Sequence, residues 1–352
     1  MGDVPDPELR DWVASHGAAA DDLARTGHAD RPERLGADLV FQRSATLTAR
    51  EVAERSGLGL DEVLGRFHDL GITVPDPGDR LFTVADVQLV VALHGAEEQG
   101  IVRGNDLWRV VAAAMDRLAE AAVAVYVQGA EDDLFRSGAS PTERAEASRR
   151  ATSGALDLGV ALAPVFRHHM RQAIARTRVM QSGVSRRELA RVAIGFVDLV
   201  GSTALEATLD PAQLGDLVDG FESRAFDVTA AGGGRLVKFI GDEIMVAAVD
   251  PVAGCCIMLD LIDAFTAEGI QPRGGLVFGE VLYRHGDYYG PVVNLAARLG
   301  DAAIPGEVLV DESVVASART AGIGVEAAGR RLLKGFDAPV TVWSLEREPP
   351  SA

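Results

Sequence analysis

Residues 233–245 read GGRLVKFIGDEIM, and the apolar run continues as VAAV to Val249. Two β-rich halves flank a Gly-Asp that breaks the pattern, which predicts two strands joined in a hairpin at Gly241–Asp242. A lysine inside the first strand and an acid at its turn are both unusual for a ribbon that otherwise reads as buried. Upstream, VAIGFVDLV (192–200) reads as a strand, and PAQLGDLVDGFESRAFDVTAAGG (211–233) as a helix closed by glycine. Downstream come a helix over 252–267, a strand or hairpin in PRGGLVFGEVLYR (272–284), and a short helix in GPVVNLAARLG (290–300). That helix has proline early and glycine at its end, the usual placement of the two. GEVLVDES (306–313) and TVWSLE (341–346) add late strands around another helix. The order βαββαβ, with further elements, implies an α+β, ferredoxin-like sheet.

Asp198 closes the strand 192–200 just before a Gly-Ser-Thr turn at 201–203, and Asp242 sits at the hairpin tip. Each alone could cap a turn. Brought side by side from neighbouring strands, two carboxylates repel unless a cation lies between them, and magnesium prefers such hard oxygen ligands when substrate phosphates complete its shell. Asn294 and Arg298 are four apart on the predicted short helix and share a face.

These segments resemble the class III nucleotide cyclases, the family of adenylate and guanylate cyclase catalytic domains. FVDLVGST (196–203), KFIGDEIM (238–245), DYYGPVVNLAARL (287–299) and LLKGFDAPVTVW (332–343) occur in the family's order and approximate spacing, and the likeness runs from Val192 to Leu345. The resemblance implies that Asp198 and Asp242 bind two metal ions per site, Mg2+ or Mn2+, and that Lys238 and Asp287 read the adenine. It makes Asn294 and Arg298 the transition-state pair and Lys334 a triphosphate contact; Arg284 matches a phosphate-contacting arginine loosely. It also implies a homodimer with two equivalent sites at its interface, each built from both copies. An acceptor beside a donor suits the amino group and N1 of adenine and opposes guanine, which inverts that pattern. ATP is therefore the expected substrate and cyclic AMP with pyrophosphate the expected products; guanylate cyclase is the weaker choice.

The other half, to about residue 182, is helical in texture. The expected domains are a helical regulatory one over 1–185, all α, and a catalytic one over 190–348. Within the first, LTAREVAERSGLGLDEVLGRFHDLG (47–71) resembles a helix-turn-helix, and PDPGDRLFT (75–83) reads as a small hairpin or wing. A non-enzymatic regulator binding DNA or nucleotide is the alternative function. The second helix opposes it, setting Asp61, Glu62 and Asp69 against Arg66, the wrong sign for a major groove. Ser140 is placed to cap a helix opening at Pro141. This half also resembles, more weakly, the autoinhibitory regions of pH-responsive actinobacterial-type cyclases. The linker helix, about 165–185, carries His168 and His169, which titrate near neutrality, so a proton is one candidate effector. A lipid held between Ala-rich helices is another.

With 352 residues, 47% apolar and 24% charged, the chain has the composition of a two-domain globular protein. A net charge of -18 excludes bulk attraction to nucleic acid, so phosphate must be held by placed cations or metal. Cys255 and Cys256 are adjacent and form no disulfide framework, which fits a reducing compartment. The opening MGDVPDPELRDW does not read as a secretory signal, and the most apolar stretch, 110–127, is cut by Asp116, Arg117 and Glu120. A cytoplasmic protein without a membrane span is expected.

Overall fold

The computed structural model describes residues 7–16, 32–102, 104–182, 184, 186, 188–200, 209–267 and 270–347. The chain divides into two compact units, 1–167 and 168–352. Most of the segment expected to link two domains, 165–185, thus falls in the second unit.

In the first unit, α1 (Pro7–Ser15) and α2 (Pro32–Ser44) pack with α8 (Pro141–Ala161) around Leu9, Val13, Leu35, Leu39 and Ala145. Ser140 does cap α8: its hydroxyl accepts from the Glu143 amide while Glu143 reaches back to the Ser140 N–H, closing a capping box. The expected helix-turn-helix is formed by α3 (Ala49–Ser56) and α4 (Leu60–Asp69), with Gly57 in the left-handed conformation between them. Of the hairpin or wing expected over 75–83 only β2 (Arg80–Phe82) is strand, and it pairs antiparallel with β1 (Leu47–Thr48) ahead of α3, so among the described residues the unit is helical apart from these strands. Its small core stacks Phe67 on Phe82 over Val52, Val63 and Val90. Arg66, the cation of α4, is buried and committed to Glu62 and to Glu97 of α5 (Val84–Glu98), both at 2.8 Å. It is therefore not offered to a phosphate backbone. Beyond α5 the chain forms α6 (Asp106–Ala122), a π-helical turn at Val123–Gln128, and α7 (Gly129–Arg136).

The helical stretch that opens at Pro141 is likewise interrupted. After α8 the chain breaks at Leu162 and resumes as α9 (Ala163–Met180), whose His168 and His169 are exposed.

The second unit is built on one sheet. Its strands are β3 (Leu189–Val200), β4 (Arg235–Ile240), β5 (Glu243–Ala248), β6 (Gln271–Arg284), β7 (Asp287–Tyr289), β8 (Val308–Val310), β9 (Gly324–Arg331) and β10 (Val340–Glu346). Their spatial order is β4-β5-β3-β6-β8-β10-β9, with β7 folded back on β6. With α10 (Pro211–Ala231) between β3 and β4, and α11 (Pro251–Ala267) between β5 and β6, the four antiparallel strands β6-β3-β5-β4 are the ferredoxin-like arrangement expected. Strand β6 is one strand of 14 residues, and its hairpin partner is the separate β7. The helix α12 (Pro291–Ala302) runs two residues past Gly300, and α13 (Glu312–Thr320) lies between β8 and β9.

The period of two divides the sheet's core. On β3, Ala193, Val197 and Leu199 face α10, α11 and α13, with Ile244 and Val246 of β5 beside them. Val192, Ile194 and Phe196 face α12, with Met245, Val277 and Leu309. Gly275 of β6 is where α12 lies closest: a Cβ there would stand 2.3 Å from the Ala296 carbonyl oxygen and from the Gly300 amide nitrogen.

Candidate active site

The α12-facing row of the sheet ends in charge. Register places Phe196 opposite Met245 and, two residues on, Asp198 opposite Glu243. On the other side Asp198 faces Arg273, and Glu243 faces Ile240. Four strands thus present Ile240, Glu243, Asp198 and Arg273 in one cross-strand line. The guanidinium of Arg273 donates from Nε and Nη2 to the same oxygen, Asp198 Oδ2, at 2.9 and 2.6 Å. Its Nη1 donates to the Asp301 carbonyl at 2.8 Å, tying the end of β3 to the carboxyl end of α12. Asp242 occupies the β4–β5 turn, as expected. The Gly-Ser-Thr turn expected at 201–203 lies outside the described residues.

One turn of α12 above this row, Asn294 and Arg298 line a pocket of about 310 Å³ with Phe196, Ile240, Glu243 and Asp301. Arg298 Nη1 donates to Asp301 Oδ2 at 2.6 Å. The Glu243 carboxyl is pushed up to about 7, first by burial and then by the charges of Asp198, Asp301 and Asp242, with Arg298 opposing. Burial dominates that rise, and the three neighbouring carboxylates add an excess of negative charge at the end of the sheet. A divalent cation would relieve that excess, and the donors are the hard carboxylates it prefers. Among the described residues no group of three or more His, Cys, Asp or Glu side chains could hold a metal by itself. Asp198 and Asp242 both lie close enough to raise the Glu243 carboxyl, and their oxygens suit such an ion when nucleotide phosphate and water complete its shell.

The second constellation lies along β4 and β7. Lys238 Nζ donates to Asp287 Oδ2 at 2.5 Å, joining residues 49 apart in the chain. The backbone N–H of Tyr288 takes the other oxygen, Asp287 Oδ1, at 2.8 Å. Each carboxylate oxygen keeps a lone pair, so a fixed acceptor stands beside a fixed cation. Arg284 ends β6 directly across from Asp287 in the β6–β7 register and is exposed. Lys334 is exposed on the segment after β9.

Sequence reading missed Glu243, Arg273 and Asp301. Glu243 adjoins Asp242, and strand alternation would have put it on the face of Asp198 once the β3–β5 register was known. Arg273 shows itself only through that register. Asp301 follows Arg298 by one helical turn, a spacing visible in the sequence.

Comparison with known proteins bears on both halves. Residues 184–347 match the adenylate and guanylate cyclase catalytic domain, and residues 6–174 match the adenylate cyclase regulatory domain. An uncharacterized protein of Mycobacterium tuberculosis is 36% identical over 91% of this chain and 86% of its own length. An adenylate cyclase of Glutamicibacter nicotianae is 32% identical over 74% of this chain and 69% of its own. A pH-sensitive adenylate cyclase of Mycobacterium tuberculosis is 27% identical over 97% of this chain and 87% of its own. With the catalytic motifs in one unit and a regulatory-domain match over the other, the chain belongs to the class III adenylate cyclase family.

Proposed function

We propose that the chain converts ATP to 3′,5′-cyclic AMP and pyrophosphate, through attack of the ribose 3′-hydroxyl on the α-phosphate in line with the leaving group. The Lys238–Asp287 contact carries the reading. Asp287 accepts from the adenine 6-amino group and Lys238 donates to N1; guanine offers an oxygen and a proton at those places and meets like against like. Asn294 orients the ribose, and Arg298, exchanging Asp301 for substrate, balances the charge that grows on the α-phosphate oxygens. Asp198 and Asp242 hold Mg2+ or Mn2+, two per site, which when bound supplies charge neutralisation and a more acidic 3′-hydroxyl. Lys334 and Arg284 are the cations assigned to the phosphates beyond.

The site is completed across a homodimer, metal carboxylates from one copy and base-reading and transition-state residues from the other. In support, apolar Ile240, Leu282 and Tyr289 are exposed on the strands that carry these residues. The first unit is the regulator. A groove of about 420 Å³ lined by Phe41, Met115, Leu118, Ala155, Leu156 and Leu162, with the unpartnered buried Thr152 hydroxyl in its wall, supports a single-chain lipid as effector. A relative described as pH-sensitive supports a proton acting through His168 and His169.

The deciding assay incubates purified full chain with Mn2+ and either ATP or GTP and separates the products by chromatography. Cyclic AMP from ATP, well above cyclic GMP from GTP, is expected; no cyclic nucleotide from either overturns the proposal. For regulation, the rate from pH 5.5 to 8 is compared with that of a His168→Ala/His169→Ala variant. Superimposable profiles would exclude those histidines.

A further inference from the structure

The hairpin that carries Asp287 is braced from outside the strands. Much of the apolar surface of α9 is exposed, Met170, Ile174 and Val179 included, yet its last residue, Met180, is only 2% exposed. Met180 packs into the α12-side core with Ala190, Val192 and Val281. The Tyr288 hydroxyl donates to its sulfur at 3.7 Å, and Tyr288 itself is 3% exposed. Tyr288 is the residue whose N–H fixes Asp287 Oδ1. Its ring meets that of Tyr283, its partner in the β6–β7 register, with centroids 5.1 Å apart. The Arg235 guanidinium lies over the same ring at 5.8 Å, three residues before Lys238 on β4.

Strand β7 has three residues and follows a two-residue turn in which His285 and Gly286 are both left-handed, with φ of 55° and 79°. So short a strand has few ladder bonds with which to hold its register, and a slip of one residue turns every side chain to the other face. Burial of Tyr288 under Met180 resists that slip. The slip would carry Asp287 away from Lys238.

We propose that Met180 and Tyr288 are positioning residues for base recognition: the last turn of α9 seats on β7 and holds Asp287 against Lys238. How firmly that turn is seated then sets both the affinity for ATP and the choice of adenine over guanine. The inference rests on the assignment of Lys238 and Asp287 to the base. It also gives the linker helix a defined place to act, the base subsite rather than the metal carboxylates.

The test uses the full chain with Mn2+, measuring initial rates against ATP and GTP for Met180→Ala, Met180→Leu, Tyr288→Phe and Asp287→Asn, with thermal unfolding in parallel. Truncating Met180 leaves a cavity and removes one partner of the buried Tyr288 hydroxyl, leaving Arg235 beside it. Met180→Ala is expected to raise KM for ATP about tenfold with kcat within about twofold, and to lower the ATP-to-GTP ratio of kcat/KM by a similar factor, a loss the size of one misplaced polar contact. Met180→Leu, which refills the volume, restores both; Tyr288→Phe shifts them the same way by less. A merely structural role would lower unfolding temperature and active fraction without moving the base ratio. If Asp287→Asn changes base choice while Met180→Ala and Tyr288→Phe leave KM and the ratio alone, the inference is overturned and the base assignment stands. If Asp287→Asn itself leaves base choice unchanged, the base assignment falls and takes the inference with it. Should Met180→Ala fail to fold, Tyr288→Phe decides the matter on the same two readouts.

Discussion

Replacing Gly275 by alanine tests whether the seat of α12 on the sheet matters to catalysis. The added Cβ would stand 2.3 Å from the Ala296 carbonyl oxygen and the Gly300 amide nitrogen, and 2.7 Å from Leu299 Cβ. Two of these are backbone atoms of α12, so no rotamer change relieves the clash. Reaching ordinary contact at 3.4 Å requires α12 to lift by about 1 Å. Overpacking of this kind costs about 1–3 kcal/mol, read as a drop of several degrees in unfolding temperature. The helix carries Asn294 and Arg298 and anchors Arg273 through the Asp301 carbonyl. A displacement of about 1 Å in residues assigned to the transition state lowers kcat on the order of 100-fold. KM for ATP should change less, because Lys238 and Asp287 sit on β4 and β7. Gly279→Ala is the comparison: its Cβ meets Val292 Cγ2 at 2.8 Å, a side-chain methyl rather than the backbone of α12, so a smaller loss than for Gly275→Ala is expected. The assay is steady-state production of cyclic AMP by both variants beside a thermal melt. A Gly275→Ala enzyme that melts early but turns over at the wild-type kcat refutes the claim that α12 needs its close seat.

Three other outcomes follow from the site's charges. Asp242→Ala should lower metal-dependent turnover by at least about 1,000-fold and weaken Mn2+ binding measured by electron paramagnetic resonance, with the melt unchanged; normal activity would show that Asp242 holds no metal. Lys238→Glu should remove most of the preference for ATP over GTP, and an unaltered ratio of kcat/KM would mean that the base is read elsewhere. Because the Glu243 carboxyl is pushed up to about 7 from 4.5, the folded chain holds a proton there that the unfolded chain has lost, and stability falls as pH rises between those values. Glu243→Gln removes that slope: in urea titrations without metal it should gain about 1 kcal/mol over wild type at pH 8, after allowance for partial exposure, and nothing at pH 4.5. Parallel slopes would sink the argument.

Most of the catalytic sheet is visible in the sequence because its signals are local and agree. Apolar runs along 192–200 and 235–248, a Gly-Asp turn between strands and a glycine closing α10 all favour the same elements. Strand β9 escaped because GVEAAGRR has neither alternation nor an apolar face, and pairing with β10 holds it in place. The break at Leu162 and the π-helical turn at 123–128 are also invisible locally, since alanine and valine there suit a continuous helix. The acids and Asn294–Arg298 are legible from motif and spacing. Their partners are not: Arg273 reaches Asp198 only through the β3–β6 register, and Met180 reaches Tyr288 across 108 residues.

That division bears on how the site binds its substrate. Four carboxyls, Asp198, Asp242, Glu243 and Asp301, converge where two guanidiniums, Arg273 and Arg298, stand. Both arginines are engaged within the chain, one by Asp198 and the other by Asp301. A nucleotide triphosphate approaching this end of a chain of net charge -18 therefore meets repulsion from the side chains that must act on it. At each shared site the Arg298 that acts comes from the other copy, where its release from Asp301 offsets part of that repulsion, and cations brought with the nucleotide must offset the rest. ATP affinity should consequently depend on divalent metal far more steeply than adenosine affinity does. Equilibrium dialysis of both ligands with and without Mn2+ measures the difference, and equal dependence for the two would show that the acids at the end of β3 do not face the phosphates.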